Sequence, residues 1–387
     1  MKRSNCSFSL RFLASRPKVP IRDLGRGEKI LVVQTSFLGD TVLSTPLFAA
    51  IRDRFPESHL TVLSTPQGKS LLVENPNIDE IITDDKKGEG RGLFGLWRKA
   101  EDLKHRAFTI AITPHKSLRT ALLLCLARIP CRIGFRQSAG WFLYHCRVDR
   151  DSVRHDVDRN LSILKAFGIN PDTCAHKLQV PVHPRTRETV EQLFNSLGIT
   201  RNGITVGLNP GAVWATKRWT AVGYSELMIE LKQRYGYQIV LFGGPEDLGI
   251  IAEIQRLAGH VGISLAGKID LCDLAAAIER CDLFITNDSG PMHVAVACGV
   301  PVLAVFCATT PSLGFYPYSS KAVVVEKALA CRPCSSHGGR RCPLGTEDCM
   351  RLIKPKDLLN GVEQLLHGKP QVGLSGSDVC FPQFITC

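Results

Sequence analysis

The chain has 387 residues, 44% of them hydrophobic and 22% charged, with a formal net charge of +12. This length suits two domains of ordinary size, and the composition is that of a globular protein. No apolar run reaches the ~18 residues that a membrane-spanning helix needs, and the positive charge favours an anionic partner unless it serves solubility alone.

The first 27 residues carry seven Lys or Arg and one Asp. Their apolar residues are too interrupted for a secretory signal, so we interpret residues 1–27 as a disordered basic extension. The chain also contains 15 cysteines. Because this number is odd and many cysteines lie in apolar runs, reduced thiols explain them better than a disulfide framework does.

Strands and helices alternate in the first half of the chain. After a buried strand, the pattern predicts a helix over residues 40–54 and another near 68–74. Such alternation indicates a parallel sheet that is covered on both faces. We therefore predict one Rossmann-like domain over residues 28–185. Its predicted strands cover residues 28–35, 59–64, 78–83 and 108–113.

The second half repeats this alternation after a passage between domains at residues 177–205. We predict a second Rossmann-like domain over 199–353, a closing helix over 354–367, and a loose tail over 368–387, which is rich in Gly, Ser and Pro. The predicted strands begin at Ile204 and continue at residues 238–242, 264–266, 283–286 and 302–306.

The first candidate motif, Ser36-Phe37-Leu38-Gly39-Asp40, follows the first strand. In open α/β sheets, ligands bind at the carboxyl ends of the strands. A carboxylate there, such as Asp40, could accept a proton from an attacking hydroxyl, but capping of the following helix explains Asp40 equally well. The motif lacks the glycines of a G-x-G-x-x-G fingerprint, which argues against a dinucleotide-dependent dehydrogenase.

Two further motifs follow strands of the second half. Lys217 lies in a Thr-Lys-Arg-Trp sequence, shortly after an Asn-Pro-Gly-Ala sequence at 209–212. It could neutralise a diphosphate or belong to a solvated basic turn. Glu246 ends a Gly-Gly-Pro-Glu turn. It could accept hydrogen bonds from ribose hydroxyls, although ordinary turn chemistry would also account for it.

The most specific motif is Ile-Thr-Asn-Asp-Ser-Gly-Pro-Met-His at residues 285–293. Pro291 favours a helix that begins near Ser289 and Gly290. The free N–H groups of a helix start bind anions, so this motif is suited to a pyrophosphate. His293 lies one turn into the helix and could add a donor on the same side, or it could be an interior histidine.

In this order, and on two successive α/β halves, the motifs resemble those of glycosyltransferase family 9, the ADP-heptose:lipopolysaccharide heptosyltransferases, over about residues 29–365. Within that family, the motif that contains Lys217 and the cysteine-rich segment at residues 331–349 are more similar to heptosyltransferase II than to heptosyltransferase I. The resemblance implies a GT-B fold, an α/β arrangement in which two Rossmann-like doubly wound domains face each other across a cleft. The N-terminal domain would bind the acceptor and the C-terminal domain the nucleotide sugar. The closing helix would pack back across the N-terminal domain.

The same resemblance implies residue roles. Asp40 would be the catalytic base that deprotonates an acceptor hydroxyl, which attacks the anomeric carbon of ADP-L-glycero-β-D-manno-heptose with inversion. Lys217 would hold the diphosphate and assist catalysis. The other nucleotide-sugar residues would be Glu246 at the ribose, Asp288 near the donor sugar, and Ser289, Gly290 and His293 around the phosphates. No metal and no cofactor is implied, because protein donors stabilise the leaving group.

The implied acceptor is Kdo-lipid A that carries the lipopolysaccharide inner core, at the cytoplasmic face of the bacterial inner membrane, where the protein would be peripheral. We predict that Arg119, Arg132 and Arg136 bind its carboxylates and phosphates. No nucleic-acid partner is expected, since no aromatic and basic recognition motif is present. The choice among heptosyltransferases I, II and III stays open. Two alternatives are a family 9 transferase with another sugar or acceptor, and a non-catalytic nucleotide-binding protein of the membrane surface.

Two apolar clusters and one cysteine-rich segment have no part in these roles. The clusters, at residues 93–97 and 141–144, could dip into a bilayer interface, although packing in the core is favoured. The segment holds Cys331, Cys334, Cys342 and Cys349. Four thiolates could bind zinc, but the second pair is not C-x-x-C, so we favour a structural loop with reduced thiols.

Overall fold

The computed structural model describes residues 27–368 and 382–386 and contains two sheets of parallel strands. Except for Gly27, the predicted basic extension lies outside the described residues. Within the described part, no helix has both the length and the apolar composition that crossing a membrane requires. The cysteines of the described part are all free thiols.

The first sheet has the strand order β3-β2-β1-β4-β5-β6. This order reverses beside β1, and doubly wound sheets bind ligands at such a point. The strands are β1 (Lys29–Gln34), β2 (His59–Ser64), β3 (Glu80–Thr83), β4 (Ile110–Thr113), β5 (Cys131–Phe135) and β6 (Cys146–Val148). The helices are α1 (Leu38–Leu43), α2 (Thr45–Arg54), α3 (Pro66–Leu72), α4 (Gly92–His105), α5 (Leu118–Leu126) and α6 (Asp156–Leu161).

The helix that was predicted over residues 40–54 is two helices, α1 and α2, which meet at Ser44. The Ser44 hydroxyl donates a hydrogen bond to the carbonyl of Asp40 at 2.8 Å and accepts one from Gln34 Nε2 at 2.8 Å. Side-chain bonds of this kind compete with the regular helix, and the second helix then begins at Thr45, with Pro46 in its first turn. Through Ser44, these bonds link the end of α1 to Gln34 at the end of β1.

The second sheet has the order β13-β12-β11-β10-β7-β8-β9. When it is read from β9, its first six strands follow the same pattern as the first sheet. Its switch point lies between β7 and β10. The strands are β7 (Thr205–Asn209), β8 (Gln238–Leu241), β9 (Ile263–Ser264), β10 (Leu283–Asn287), β11 (Val302–Phe306), β12 (Ala322–Glu326) and β13 (Gln383–Thr386). The helices are α7 (Pro184–Ser196), α8 (Ala221–Tyr235), α9 (Leu248–Leu257), α10 (Leu274–Glu279), α11 (Gly290–Ala297), α12 (Asp348–Arg351) and α13 (Pro355–His367).

The C-terminal region differs from the sequence prediction at a strand, β13, and at a helix, α13. Strand β13 pairs with β12 in parallel, so residues 383–386 belong to the sheet and are not a loose tail. Helix α13 packs on β10, β11, β12 and α8, which corrects the expectation that it crosses the N-terminal domain. Gly361 permits this close approach, because a Cβ atom there would lie 2.5 Å from Leu303 Cδ1.

Helix α6 joins the two halves. Its first N–H, from Asp156, donates to the carbonyl of Gly314 at 2.9 Å, in the loop after β11. Arg159 donates to the carbonyl of Leu313 at 2.9 Å, and the imidazole of His155 lies 2.8 Å from the carbonyl of Tyr316. These bonds fix how the carboxyl edges of the two sheets face each other.

Candidate active site

The start of α1 touches the start of α11 at the boundary between the two halves. A Cβ atom at Gly39 would lie 2.9 Å from His293 Cδ2 and 3.6 Å from Gly290 Cα, and one at Gly290 would lie 3.2 Å from Leu38 Cβ. Glycine at both positions permits this approach of the two backbones. Asp40, the next residue of α1, therefore lies beside the first turn of α11.

Asp40 is half-buried, and its Oδ2 accepts hydrogen bonds from the Ser36 hydroxyl at 2.5 Å and the Phe37 N–H at 3.2 Å. The second bond caps α1, so the capping interpretation describes this oxygen correctly. Burial raises the pKa of Asp40, whereas the two bonds and the charges of His337 and Arg150 lower it. A raised pKa makes a carboxylate a stronger base.

Helix α11 begins at Gly290, and the side chain of its N-cap residue, Ser289, does not cap it. The Ser289 hydroxyl instead accepts a hydrogen bond from Asn209 Nδ2 at 3.4 Å. The first turn therefore offers N–H groups to an anion. His293 is buried, and burial lowers its pKa to about 3, so its ring is neutral near pH 7. Within the described part, its buried Nδ1 has no hydrogen-bond partner.

Lys217 and Asp288 form a buried ion pair, with 2.6 Å between Nζ and Oδ2. The same oxygen accepts a hydrogen bond from the Thr309 hydroxyl at 2.6 Å. Lys217 ends a short 3-10 helix after β7, and Asp288 directly precedes Ser289. The structure thus holds the ammonium group next to the start of α11, where it can neutralise a phosphate.

Asparagine side chains join the motif after β7 to the motif after β10. Asn287 Nδ2 donates to the carbonyl of Pro210 at 2.8 Å, and Asn287 Oδ1 accepts from the Trp219 N–H at 2.9 Å. Asn209 Nδ2 lies 3.2 Å from the carbonyl of Gly211. Because β7 and β10 are paired neighbours, the two motifs form one surface at the switch point of the second sheet.

The turn after β8 holds Glu246 at the exposed rim, and its buried neighbour Asp247 faces inward. The Gly244 N–H donates to Asp247 Oδ2 at 3.1 Å. A Cβ atom at Gly243 would lie 2.9 Å from Asp247 Cβ, and one at Gly211 would collide with the Asp247 carboxylate. Asp247, to which the sequence analysis gave no role, therefore joins two glycine turns, while the role of Glu246 at the ribose stays a prediction.

A buried ion pair near Asp40, between Arg150 and Asp156, was missed by the sequence analysis. Burial raises the pKa of Asp156 to about 6, and the charge of Asp40 raises it too, whereas Arg150 and Arg159 lower it. Arg150 Nε is buried and has no partner among the described residues. The only sign of this ion pair in the sequence is the run of charged residues after β6, and β6 is a strand of three residues that the sequence pattern did not predict.

The arginines predicted to bind the acceptor have partners within the protein. Arg132 is buried and donates to the carbonyl of Leu143 at 2.9 Å, so the prediction for Arg132 is wrong. Arg119 pairs with Asp84, with 3.2 Å between Nη2 and Oδ1. Arg136 is exposed and pairs at 3.0 Å with one exposed carboxylate, so Arg136 alone of the three stays well placed to meet a ligand.

The cysteine-rich segment packs on the loop that carries Lys217, which the sequence analysis did not predict. The Thr216 N–H donates to the carbonyl of Gly339 at 3.1 Å, and the Gly339 N–H donates to Thr216 Oγ1 at 2.8 Å. Gly338 has a φ of +83°, and a Cβ atom there would lie 2.8 Å from Lys217 Cγ. The segment therefore forms part of the wall of the candidate site and carries His337 there.

Possible metal ligands of the described residues gather at one place outside this site. Only Asp270, Cys272 and Asp273 bring three potential ligand atoms within 4.8 Å of one another. The four thiols of the cysteine-rich segment form no such group in the described structure. The structural loop with reduced thiols stays a prediction.

Known proteins are similar to this chain in both sequence and fold. A family model described as glycosyltransferase family 9 (heptosyltransferase) matches residues 96–343. The chain is 30% identical to lipopolysaccharide heptosyltransferase 3 of Escherichia coli (strain K12) over 283 residues, which are 70% of this chain and 80% of that protein.

Two solved structures support the same relationship. A glycosyl transferase family 9 protein from Veillonella parvula DSM 2008 has a TM-score of 0.79 and 28% identity, with 90% of this chain and 99% of that chain covered. The Escherichia coli ADP-heptose lps heptosyltransferase II has a TM-score of 0.71 and 26% identity, with coverages of 87% and 98%. These likenesses confirm the predicted resemblance and the GT-B arrangement of two Rossmann-like sheets.

Proposed function

The chain belongs to glycosyltransferase family 9 (heptosyltransferase), and from this premise we propose that it transfers heptose from ADP-L-glycero-β-D-manno-heptose to the lipopolysaccharide inner core. The name of the Escherichia coli heptosyltransferase II includes both ADP-heptose and lipopolysaccharide, which supports this donor and this class of acceptor. The acceptor is anchored in the inner membrane, and we propose that the protein is peripheral on its cytoplasmic face.

The proposal depends chiefly on the contact between α1 and α11. Because Gly39 lies against Gly290 and His293, Asp40 of the first half lies beside the first turn of α11 in the second half. A donor diphosphate on the first turn of α11 and on Lys217 would have its sugar directed toward Asp40. The acceptor hydroxyl would approach from the side of the first sheet.

The reaction then needs one proton transfer and one substitution. The Asp40 carboxylate takes the proton of an acceptor hydroxyl while that oxygen forms a bond to the anomeric carbon. The bond between this carbon and the phosphate oxygen breaks on the opposite face, ADP leaves, and the configuration inverts. Lys217 and the N-terminus of α11 stabilise the charge on the departing ADP.

Other residues bind and orient the substrates in this proposal. Asp288 lies near the donor sugar and holds Lys217 in place, and Glu246 accepts hydrogen bonds from the ribose. Neutral His293 offers its unpaired Nδ1 to the phosphates, together with Ser289 and Gly290. Arg136 and Arg150 bind the anionic groups of the acceptor, whereas Arg119 links α5 to Asp84 and to the carbonyl of Gly90.

The substitution Asp40→Asn tests the proposal. We expect turnover of ADP-heptose with heptosylated Kdo-lipid A to fall by at least about 100-fold, because general-base catalysis typically contributes that much or more. The affinity for ADP, measured by calorimetry, should stay within about threefold. Asp53→Asn, at an exposed position of α2, is the matched control and should keep wild-type turnover.

Two results would contradict the proposal at different points. Retained turnover in Asp40→Asn would remove Asp40 from the role of base. If wild-type protein released no ADP with any inner-core acceptor, heptose transfer itself would be rejected, and a panel of nucleotide sugars would then test the alternative of another donor.

A further inference from the structure

Exposed apolar side chains are concentrated on one part of the first half. Of the 17 large apolar side chains that are exposed in the described part, eight belong to three elements. These elements are α4, α5 and a 3-10 helix at Trp141–Leu143. They are neighbours, since α5 contacts both of the others. Such clustering distinguishes this area from the single exposed apolar residues of an ordinary surface.

Helix α4 exposes apolar residues in its first two turns. Leu93 is 84% exposed, Phe94 71% and Trp97 55%, whereas Leu96 is buried against the sheet. The rings of Phe94 and Trp97 are 6.2 Å apart. The expectation that residues 93–97 pack in the core is therefore wrong for the outer side of this helix.

Helix α5 continues the exposed area with residues spaced four apart, Leu118, Leu122 and Leu126, which lie on one face of the helix. The opposite face is buried. The 3-10 helix lies directly beside it, because a Cβ atom at Gly140 would lie 3.4 Å from Leu118 Cδ1. Trp141 follows and is 44% exposed. We call the outer sides of these three elements the exposed apolar face.

The charge around the exposed apolar face is positive. Residues 92–148, which include all three elements, contain ten Lys or Arg and two acidic residues, Glu101 and Asp102. Lys116, Arg128 and Arg147 form no ion pair with any described residue, and the Arg147 guanidinium lies 4.9 Å from the centre of the Trp141 ring. Aromatic, aliphatic and cationic side chains in this combination suit the boundary of an anionic bilayer.

The exposed apolar face adjoins the acceptor side of the candidate site. Helices α4 and α5 follow β3 and β4, so they begin at the same carboxyl edge of the sheet as Asp40. Lys116 lies two residues before Leu118, and besides burial the nearby charge of Arg150 lowers its pKa. Lys116 thus lies between the exposed apolar face and the buried charges beside Asp40.

We propose that the exposed apolar face docks on an anionic lipid surface and so presents a lipid-anchored acceptor to Asp40. The choice of lipid over a protein partner follows from the excess of positive charge around the face, where Lys116, Arg128 and Arg147 form no ion pair with any described residue; this charge matches anionic headgroups. The identity of the acceptor rests on the proposed function, whereas the choice of the exposed apolar face as the docking surface does not. Vesicle binding therefore tests the inference independently of transferase activity.

Vesicle co-sedimentation of the full chain tests the inference. Wild-type protein should bind vesicles of phosphatidylcholine mixed with phosphatidylglycerol, bind pure phosphatidylcholine weakly, and lose binding at high salt. The double variant Phe94→Ser/Trp141→Ser should bind the mixed vesicles at least about tenfold more weakly. Val222→Ser/Leu248→Ser removes two exposed apolar residues of the second half and should bind like wild type.

Leu93→Ser/Phe94→Ser alters the two most exposed side chains of the face and guards against a folding defect in the first variant. Activity separates this inference from the proposed function. With an acceptor fragment free of lipid, the variants should turn over like wild type, and only with vesicle-embedded acceptor should KM rise. Vesicle binding that persists in both variants would overturn the inference and assign the binding to charge elsewhere, including residues 1–27. A dimer that the variants dissociate would also overturn it, because a second copy would then cover the face.

Discussion

Two hydrogen bonds lower the pKa of Asp40 and so oppose the effect of burial, which raises it. Burial favours the protonated carboxyl, whereas the bonds from Ser36 and Phe37 favour the carboxylate. The balance leaves a base whose pKa is raised but whose oxygen is held in one place. The sequence could predict Asp40, because it follows an obvious strand. It could not predict its neighbours Arg150 and Asp156, because the strand that delivers them is only three residues long.

The substitution Ser36→Ala should move the pH profile of the transferase. Without the Ser36 bond, the pKa of Asp40 rises further, so the base becomes protonated at a higher pH. The acidic limb of kcat/KM should move to higher pH by up to about one unit, since a hydrogen bond contributes about 1 kcal/mol, while the rate above this limb changes little. Ser70→Ala, at a half-buried position of α3, should leave the profile in place. A limb that stays put or moves to lower pH would show that this bond does not tune the base.

Short elements and loops explain where element prediction failed. Strand β5 was not predicted because Arg132 and Gly134 interrupt its apolar run, and the same omission led to the wrong role for Arg132. By contrast, β2 and β11 match their predicted bounds. The fold of the cysteine-rich segment against Lys217 depends on long-range backbone bonds, for which a sequence pattern has no local signal.

The loop at Gly338 should affect nucleotide binding through Lys217. In Gly338→Ala, the new methyl group would lie 2.8 Å from Lys217 Cγ and displace the side chain. Gly345→Ala is the matched control: it too has a positive φ, +73°, but a Cβ atom there meets nothing within 4 Å. We expect Gly338→Ala to weaken ADP binding by roughly tenfold, because a charge-assisted phosphate contact contributes about 1.5–3 kcal/mol. Calorimetry that finds equal affinities in the two variants would separate this loop from the nucleotide site.

At the scale of the whole molecule, buried histidines lie where the two halves meet. His155 caps α6 and contacts the carbonyl of Tyr316, in the loop after β11. His293 of α11 lies against Gly39 of α1. The two imidazoles also act on each other electrostatically. Two-domain architecture was predictable from the repeated alternation of strands and helices, but these contacts join residues far apart in the chain and appear only in the folded protein.

These histidines should make the folded protein sensitive to acid. Burial lowers the pKa of His155 and of His293 to about 3, whereas in the unfolded chain both titrate near 6.5. Between these values the unfolded state binds more protons, so the free energy of unfolding falls as pH falls, by about 1.4 kcal/mol per pH unit for each histidine. The raised pKa values of Asp156, to about 6, and of Asp40 and Asp247 oppose this trend. The pKa values of His115 and His145, which burial lowers to about 4, add to it.

Urea denaturation near pH 7 and near pH 5 should therefore show a loss of about 2 kcal/mol or more at the lower pH. His155→Asn keeps a side chain that can cap α6 but removes one titrating group, so its stability should depend less steeply on pH. His105→Asn, at an exposed position of α4, should keep the wild-type slope. Both buried histidines lie at the contact between the halves. We therefore expect acid to weaken that contact and to separate Asp40 from α11. Stability that is flat, or that rises, from pH 7 to pH 5 would mean that the two rings do not remain neutral and buried in the folded protein.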